Sequence, residues 1–327
     1  MIDSKNRNTN TPIPVTILAG FLGAGKTTLL NHILTADHGR RIAVIVNDFG
    51  AINIDADLVT DVSDGVISLA NGCVCCAIRA DLITAVLKLS DLAERPDQIV
   101  IESSGVADPE GIYRSFLQRE IRNDVLVDGV LTVVDAEQVL NIPEQEMKLA
   151  KQQVGGADLI ILNKIDLVDK ETLSEVENWI GTLNKRAQIL RSEKCKLPIE
   201  VLLGVEAGKA LHRNNQTEKL SHDHHHEVTF ESWSYESTSP FKLSLLNQLL
   251  NHLPPELFRA KGFIYAKENP TKRLLLQMVG RRTVLSEERN WGEITPATQL
   301  VFIARKGTCN IEGIRNALDK CLDISEK

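Results

Sequence analysis

Eight residues, Gly20-Phe21-Leu22-Gly23-Ala24-Gly25-Lys26-Thr27, constrain the fold more than any other stretch of the chain. They fit G-x-x-x-x-G-K-[ST], directly after the apolar run VTILA and directly before TLLNHIL, which reads as the start of a helix. A strand, a glycine-rich turn and a helix in that order make a phosphate-binding loop. Glycines let successive backbone N–H groups turn inward around phosphate oxygens, and the helix N-terminus adds partial positive charge. Lys26 is expected to neutralise the outer phosphates and the Thr27 hydroxyl to hold magnesium, while Gly20, Gly23, Ala24, Gly25 and Thr28 complete the expected nucleotide contacts. A glycine turn that merely joins strand to helix is the bland alternative, and the flanking context argues against it.

The rest of the first two hundred residues is organised to match. Short β-branched runs, VTILAG, RIAVIVND, QIVIESSG, GVLTVVDA, DLIILNK and PIEVLLG, each end at a polar or glycine-rich turn, as buried parallel strands do. Helical segments are expected between them, at 26–36, 77–94, 108–119 and 170–184. The expected fold class is therefore α/β, a P-loop nucleotide-binding domain with a largely parallel sheet flanked by helices. In such sheets ligands bind at the carboxyl ends of the strands, where these motifs fall.

Composition changes near residue 206, where AGKALHRNNQTEKLSHDHHHE is polar and histidine-rich without apolar periodicity. Beyond it, VTFESWSYES, an amphipathic segment at 241–252, KGFIYA, RLLLQMVG, QLVFIARK and a last helix from about Ile311 predict a smaller α+β domain. The expected divisions are a disordered N-terminus at 1–11, a nucleotide-binding domain at 12–205, a histidine-rich linker at 206–227 and a C-terminal domain at 228–327.

A net charge of -7 argues against a general nucleic-acid binder. No apolar stretch approaches the roughly 20 residues that span a bilayer, and the opening MIDSKNRNTNTPIP has no signal-peptide core. The expected location is the cytoplasm, without membrane or nucleic-acid partners. In that reducing compartment clustered cysteines are ligands or nucleophiles rather than disulfides.

Two further stretches complete a nucleotide site. Glu102, at the end of QIVIESSG, is expected to hold the magnesium shell and thereby serve catalysis with Lys26 and Thr27, and the Gly105 amide to sense the γ-phosphate. Asn163-Lys164-Ile165-Asp166 follows the strand-like LIIL. There Asp166 would accept from the guanine ring N–H and exocyclic amine and reject adenine, with Lys164 along the ring face. GTP is the expected nucleotide.

The chain has six cysteines, and three of them, Cys73, Cys75 and Cys76, stand within N-G-C-V-C-C. They follow the strand-like VISLA and precede a helix, whose N-terminal field favours thiolates and hence a thiophilic ion such as zinc or copper(I). With no second cysteine pair to close a structural tetrahedron, an incomplete, exchangeable site is the better reading; a packed cluster and a redox pair are the alternatives. His222, His224, His225 and His226 could capture zinc, nickel or cobalt loosely, or be solvated chain. Cys195, Cys309 and Cys321 are scattered and read as inert.

These residues together resemble the CobW-type GTPases, relatives of the urease and hydrogenase nickel-maturation factors. GFLGAGKTTLL, IVNDFG, NGCVCC, ESSGVADP, LNKIDLV, FRAKGF and QMVGRR carry the likeness over nearly the whole chain. It implies a GTPase domain, a smaller C-terminal domain, and a transition metal on Cys73, Cys75 and Cys76 beside the nucleotide. It further implies that Asp48 stands near magnesium and metal where the family usually has glutamate, and that Asp55 matches a later aspartate. Ala51 departs, standing where many members carry a second glutamate.

The resulting expectation is a GTP-hydrolysing metallochaperone. GTP–magnesium orders the segment around Asp48 and the cysteine turn, and hydrolysis releases metal to a client metalloprotein. Zinc is the first expectation, with Co2+ and Ni2+ as alternatives. Two rivals stand beside it: a maturation factor for one cobalt or nickel enzyme, and a metal buffer or sensor with a vestigial nucleotide site. A homodimer is left open.

Overall fold

A computed structural model of the chain describes residues 12–47, 66–69, 76–92, 94–103, 105, 109–117, 121, 123–204, 218–220, 230–292 and 294–323. Contacts divide the chain into two units, Met1–Leu197 and Pro198–Lys327.

Among the described residues the first unit has seven strands: β1 (Ile13–Gly20), β2 (Ile42–Asn47), β3 (Val66–Leu69), β4 (Gln98–Glu102), β5 (Val125–Asp135), β6 (Leu159–Asn163) and β7 (Gln188–Arg191). They pair in the order β3-β2-β4-β1-β5-β6-β7, every pairing parallel. Helices α1 (Lys26–Thr35), α2 (Cys76–Ser90), α3 (Pro109–Ser115), α4 (Glu144–Gly155) and α5 (Lys170–Leu183) belong to the same unit. This is the expected fold class.

The continuous apolar run of β1 follows from its place at the centre of a sheet covered on both faces. Ile13, Val15, Ile17 and Ala19 share one hydrophobic cluster with Leu82, Val86 and Leu89 of α2 and Ile112 of α3. The intervening Thr16 and Leu18 are equally buried. Toward β6, Val134, Ile160 and Leu162 pack with Val154 of α4 and Val176 and Ile180 of α5. Register then places the motifs: Leu18 lies opposite Glu102, Gly20 opposite Val133, and Asp135 opposite Asn163. The phosphate loop, Glu102 and the N-K-x-D turn therefore leave the same carboxyl end of the sheet.

In the second unit the short helix α6 (Ile199–Leu203) is followed by strands β8 (Glu218–Leu220), β9 (Phe230–Ser237), β10 (Leu257–Ile264), β11 (Lys272–Val279), β12 (Arg282–Asn290) and β13 (Thr298–Arg305), with α7 (Leu243–Leu250) and α8 (Ile311–Asp319). The strands form an antiparallel sheet ordered β12-β11-β10-β13-β9-β8. Leu246 and Leu250 of α7 and Ile314 and Leu318 of α8 pack with Trp233, Tyr235 and Phe302 of the sheet, where Trp233 and Phe302 stack with centroids 5.4 Å apart. Gly262 has φ 154, and a Cβ there would lie 1.9 Å from Gln299 O, so only glycine lets β10 and β13 approach this closely.

Helix α4 and strand β12 were not expected, and three further elements differ from expectation. PIEVLLG is not a strand: it forms α6, held by Arg259, whose Nε donates to Val201 O at 2.6 Å and whose Nη2 donates to Leu202 O. A buried apolar run of this length has no readable period, and Pro198 at its start suits a helix entry as well as a strand. The seventh parallel strand is instead β7, whose four residues, QILR, are too few to show a pattern. The segment expected as a linker contains β8, paired antiparallel to β9.

Among the described residues no helix is long and apolar enough to cross a membrane.

Candidate functional site

β1 ends at Gly20, where φ is 142 and a Cβ would lie 2.4 Å from Val133 O. Gly23 and Gly25 also have positive φ, 76 and 112, which winds the loop back over the start of α1. Gly25 occupies the N-cap position of α1 and offers no capping oxygen, so the first-turn N–H groups are arranged for an anion. Lys26 is 7% exposed, and its Nζ donates to Phe21 O at 3.2 Å, reaching back across the loop. Ala24 is buried and Thr28 exposed.

Thr27 Oγ1 donates to Glu102 Oε1 at 3.0 Å. Glu102 is 2% exposed at the end of β4, and the backbone behind it is fixed by Ser103, whose N–H and hydroxyl both donate to Leu18 O, at 2.8 and 2.9 Å. A hydroxyl and a carboxylate beside a phosphate cradle form the hard oxygen set that magnesium takes, so these residues fit that ion. Gly105 is buried against the loop: a Cβ there would lie 2.6 Å from Leu22 Cδ2 and 2.9 Å from Leu22 N. Its carbonyl accepts from Gln153 Nε2 of α4 at 3.0 Å.

Asn163 is bonded to the protein at both ends of its amide. Nδ2 donates to Ala24 O at 3.0 Å, and Oδ1 accepts from Cys195 N at 2.9 Å. It thus joins the phosphate loop to the turn after β7. Lys164 has φ 62, a left-handed conformation seldom adopted by a side-chain-bearing residue, and its Nζ lies 2.6 Å from Asp135 Oδ2. Asp135 in turn accepts from Glu137 N at 2.9 Å and Gln138 N at 3.2 Å. Asp166 is exposed on a 3-10 turn, Ile165–Leu167.

Asp135 and Gln153 were not legible as site residues. An aspartate ending an apolar strand looks like any strand terminus, and a glutamine in the weakly patterned EQEMKLAKQQVG carries no signal. Cys195 is fully buried, its Sγ donates to Gly25 O at 3.4 Å, and burial pushes the thiol up to about 12, with Lys164 opposing the shift. Burial likewise pushes Cys309 up to about 11 and raises Cys321. All three hold their protons at neutral pH.

Of the expected metal ligands, Cys73, Cys75, Asp48 and the four histidines 222, 224, 225 and 226 lie outside the described residues, as do Ala51 and Asp55. Cys76 is the first residue of α2. Among the described residues no group of three or more His, Cys, Asp and Glu could hold a metal ion. The strands that lead to Asp48 and to the cysteines, β2 and β3, are paired with Asn47 opposite Leu69.

A parallel sheet with a phosphate loop after its central strand, a carboxylate at the end of the adjoining strand and N-K-x-D two strands away defines a P-loop GTPase. The chain belongs to the CobW/HypB/UreG family: the nucleotide-binding domain of that family matches residues 14–191, and the cobalamin synthesis protein cobW C-terminal domain matches residues 230–322. It is 36% identical to the zinc chaperone CobW of Pseudomonas aeruginosa, over 90% of this chain and 88% of that one. It is 34% identical to the zinc chaperone YjiA of Escherichia coli (89% and 94%) and 31% identical to the zinc-regulated GTPase metalloprotein activator 1 of Dictyostelium discoideum (95% and 80%).

Proposed function

We propose that this protein is a GTP-hydrolysing metallochaperone that holds zinc on Cys73, Cys75 and Cys76 and passes it to a client metalloprotein in the cytoplasm. The observation that carries the reading is the pairing of β2 with both β3 and β4. It brings the ends of β2 and β3, from which the Asp48 and cysteine stretches continue in sequence, to the carboxyl end of the sheet where Glu102 meets the phosphate loop. The relatives named as zinc chaperones support zinc over cobalt and nickel.

In this reading the loop N–H groups and Lys26 hold the phosphates, Asp166 selects guanine, and Asn163 holds the loop to the turn after β7. Thr27 and Glu102 would hold magnesium, which neutralises charge on the phosphates during γ-phosphoryl transfer. The Gly105 amide meets the γ-phosphate, so its contacts exist with GTP and vanish with GDP. Asp48 couples the nucleotide to the cysteines, and loss of the γ-phosphate loosens the thiol site. The histidines at 222, 224, 225 and 226 gather zinc in the stretch of chain between β8 and β9.

A switch of this kind works only if zinc affinity differs between nucleotide states. Zinc titration with a non-hydrolysable GTP analogue should give markedly tighter binding than with GDP, and Cys73→Ser should abolish the difference. Equal affinities would remove the coupling. Lys26→Ala should abolish zinc transfer to a client; a metal buffer with a vestigial nucleotide site would be unaffected.

A further inference from the structure

The contact between Gln153 and Gly105 has no counterpart in the nucleotide motifs. Gln153 lies 48 residues away in the chain, near the C-terminal end of α4, and is 1% exposed. Its side-chain N–H donates to Gly105 O, and its own backbone carbonyl accepts from Thr132 Oγ1 at 3.1 Å, which ties that end of α4 to the middle of β5. Gly105 is also pressed against Leu22 of the phosphate loop, closely enough that no side chain fits between them. A glycine with neither contact would sample a wide range of φ and ψ. Clamped between a loop backbone and a helix side chain, it presents one orientation.

We propose that Gln153 is a positioning residue for nucleotide discrimination: by holding the Gly105 carbonyl it sets the backbone that meets the γ-phosphate. The inference rests on the role given to Gly105 above and extends it to a helix outside the recognised motifs. The hydrogen bond is buried, so water replaces it poorly once lost. It acts on a group that GTP touches and GDP does not. Its loss therefore lowers affinity for the triphosphate selectively, whereas a merely structural defect in α4 would lower both.

The test is calorimetric binding of a β,γ-imido GTP analogue and of GDP, each with magnesium, to the full chain and to Gln153→Leu, Gln153→Glu and Gly105→Ala. Leucine removes the donor and keeps an apolar side chain beside Val133, Val139, Ala150 and Val154, which line the same pocket as Gln153. Glutamate keeps the size but places an acceptor against the carbonyl, so the two variants fail for different reasons if they fail to fold, and thermal melting shows which is native. Both are expected to bind the analogue about threefold to tenfold more weakly, the loss of one buried hydrogen bond, with GDP affinity within about twofold of the parent. The KM for GTP should rise in step. Equal losses for the two nucleotides, or no loss, overturn the proposal. Gly105→Ala separates the two levels: if it alone discriminates against the analogue, the role of Gly105 stands and that of Gln153 falls. If it binds both nucleotides as the parent does, the role of Gly105 falls and takes the inference with it.

Discussion

Lys164 Nζ lies 2.6 Å from Asp135 Oδ2, at the point where β5 and β6 end side by side. The carboxylate is nearly enclosed, 9% exposed, and is itself held by two backbone N–H groups, while the lysine side chain is 30% exposed. Asp135 thus fixes a lysine whose backbone already sits in a left-handed conformation, and aims its stem along the expected position of the base.

Asp135→Asn keeps the size and removes the charge. Guanine nucleotide affinity should fall about threefold to tenfold, in the range of a partly solvated charge-assisted hydrogen bond. In a double-mutant cycle with Lys164→Ala the two losses should not add, because each single change already breaks the same contact. Additive losses in nucleotide dissociation constants would show that Asp135 acts elsewhere.

Glu102 accepts from Thr27, and both are read as magnesium ligands. Glu102→Gln keeps an acceptor for the Thr27 hydroxyl but loses the charge that a divalent cation needs. GTP hydrolysis should fall about a hundredfold or more, since the phosphoryl charge loses its stabiliser. Nucleotide binding in the presence of a chelator should be unchanged. Phosphate release measured across a magnesium series checks this, and a variant that recovers full rate at modest magnesium would remove Glu102 from the shell.

The fold class and the family were legible because their signals lie in contiguous residues. Gly20 to Thr27 places glycines and polar groups at a strand end, and Glu102 and Asn163 to Asp166 place polar groups at two others, so the local chain carries strand and turn together. The apolar strands β1, β2, β4, β5 and β6 were legible because burial on both faces leaves a near-continuous signal. What escaped is what depends on distant partners. Val201 and Leu202 are apolar in either a strand or a helix, and it is Arg259, far along the chain, that holds α6. Gln153 and Asp135 become site residues only when α4 and β5 are folded beside the loop. The two amide bonds of Asn163, to Ala24 and Cys195, join the N-K-x-D turn to the phosphate loop, a placement that no spacing rule supplies.

The phosphate loop's glycines differ in what they tolerate. Gly25 has φ 112, and a Cβ would lie 2.6 Å from Asn163 Nδ2 and 3.2 Å from Cys195 Sγ. Asn163 is tied at both ends and cannot yield, so Gly25→Ala should destabilise the first unit by about 3 kcal/mol or more through strain and overpacking together. Gly23 also has positive φ, 76, but nothing lies within 4 Å of its Cβ position, so Gly23→Ala should cost only about 1–2 kcal/mol of backbone strain. Denaturant midpoints of the two variants give the order, and equal midpoints would contradict it.

Cys195 makes stability depend on pH in a defined window. Its thiol is held up to about 12 by burial, against an ordinary value of 9.0, with the Lys164 charge pulling the other way. Below about pH 9 folded and unfolded chains both keep the proton, and the group has no effect. As pH rises beyond that, the unfolded thiol ionises while the folded one does not, so the unfolded state binds fewer protons and stability falls with pH. The slope from one group is at most about 1.4 kcal/mol per pH unit and ends near the folded value. Cys195→Ala removes this contribution but keeps those of Cys309 and Tyr235, whose ionisation burial also delays, so they cancel in the difference. Urea unfolding of both proteins between about pH 8 and pH 11 should show the parent losing stability more steeply than the variant, by about 1 kcal/mol or more at the upper end. Parallel curves would mean that the folded thiol ionises as freely as the unfolded one, and that its burial against Gly25 is not maintained in solution.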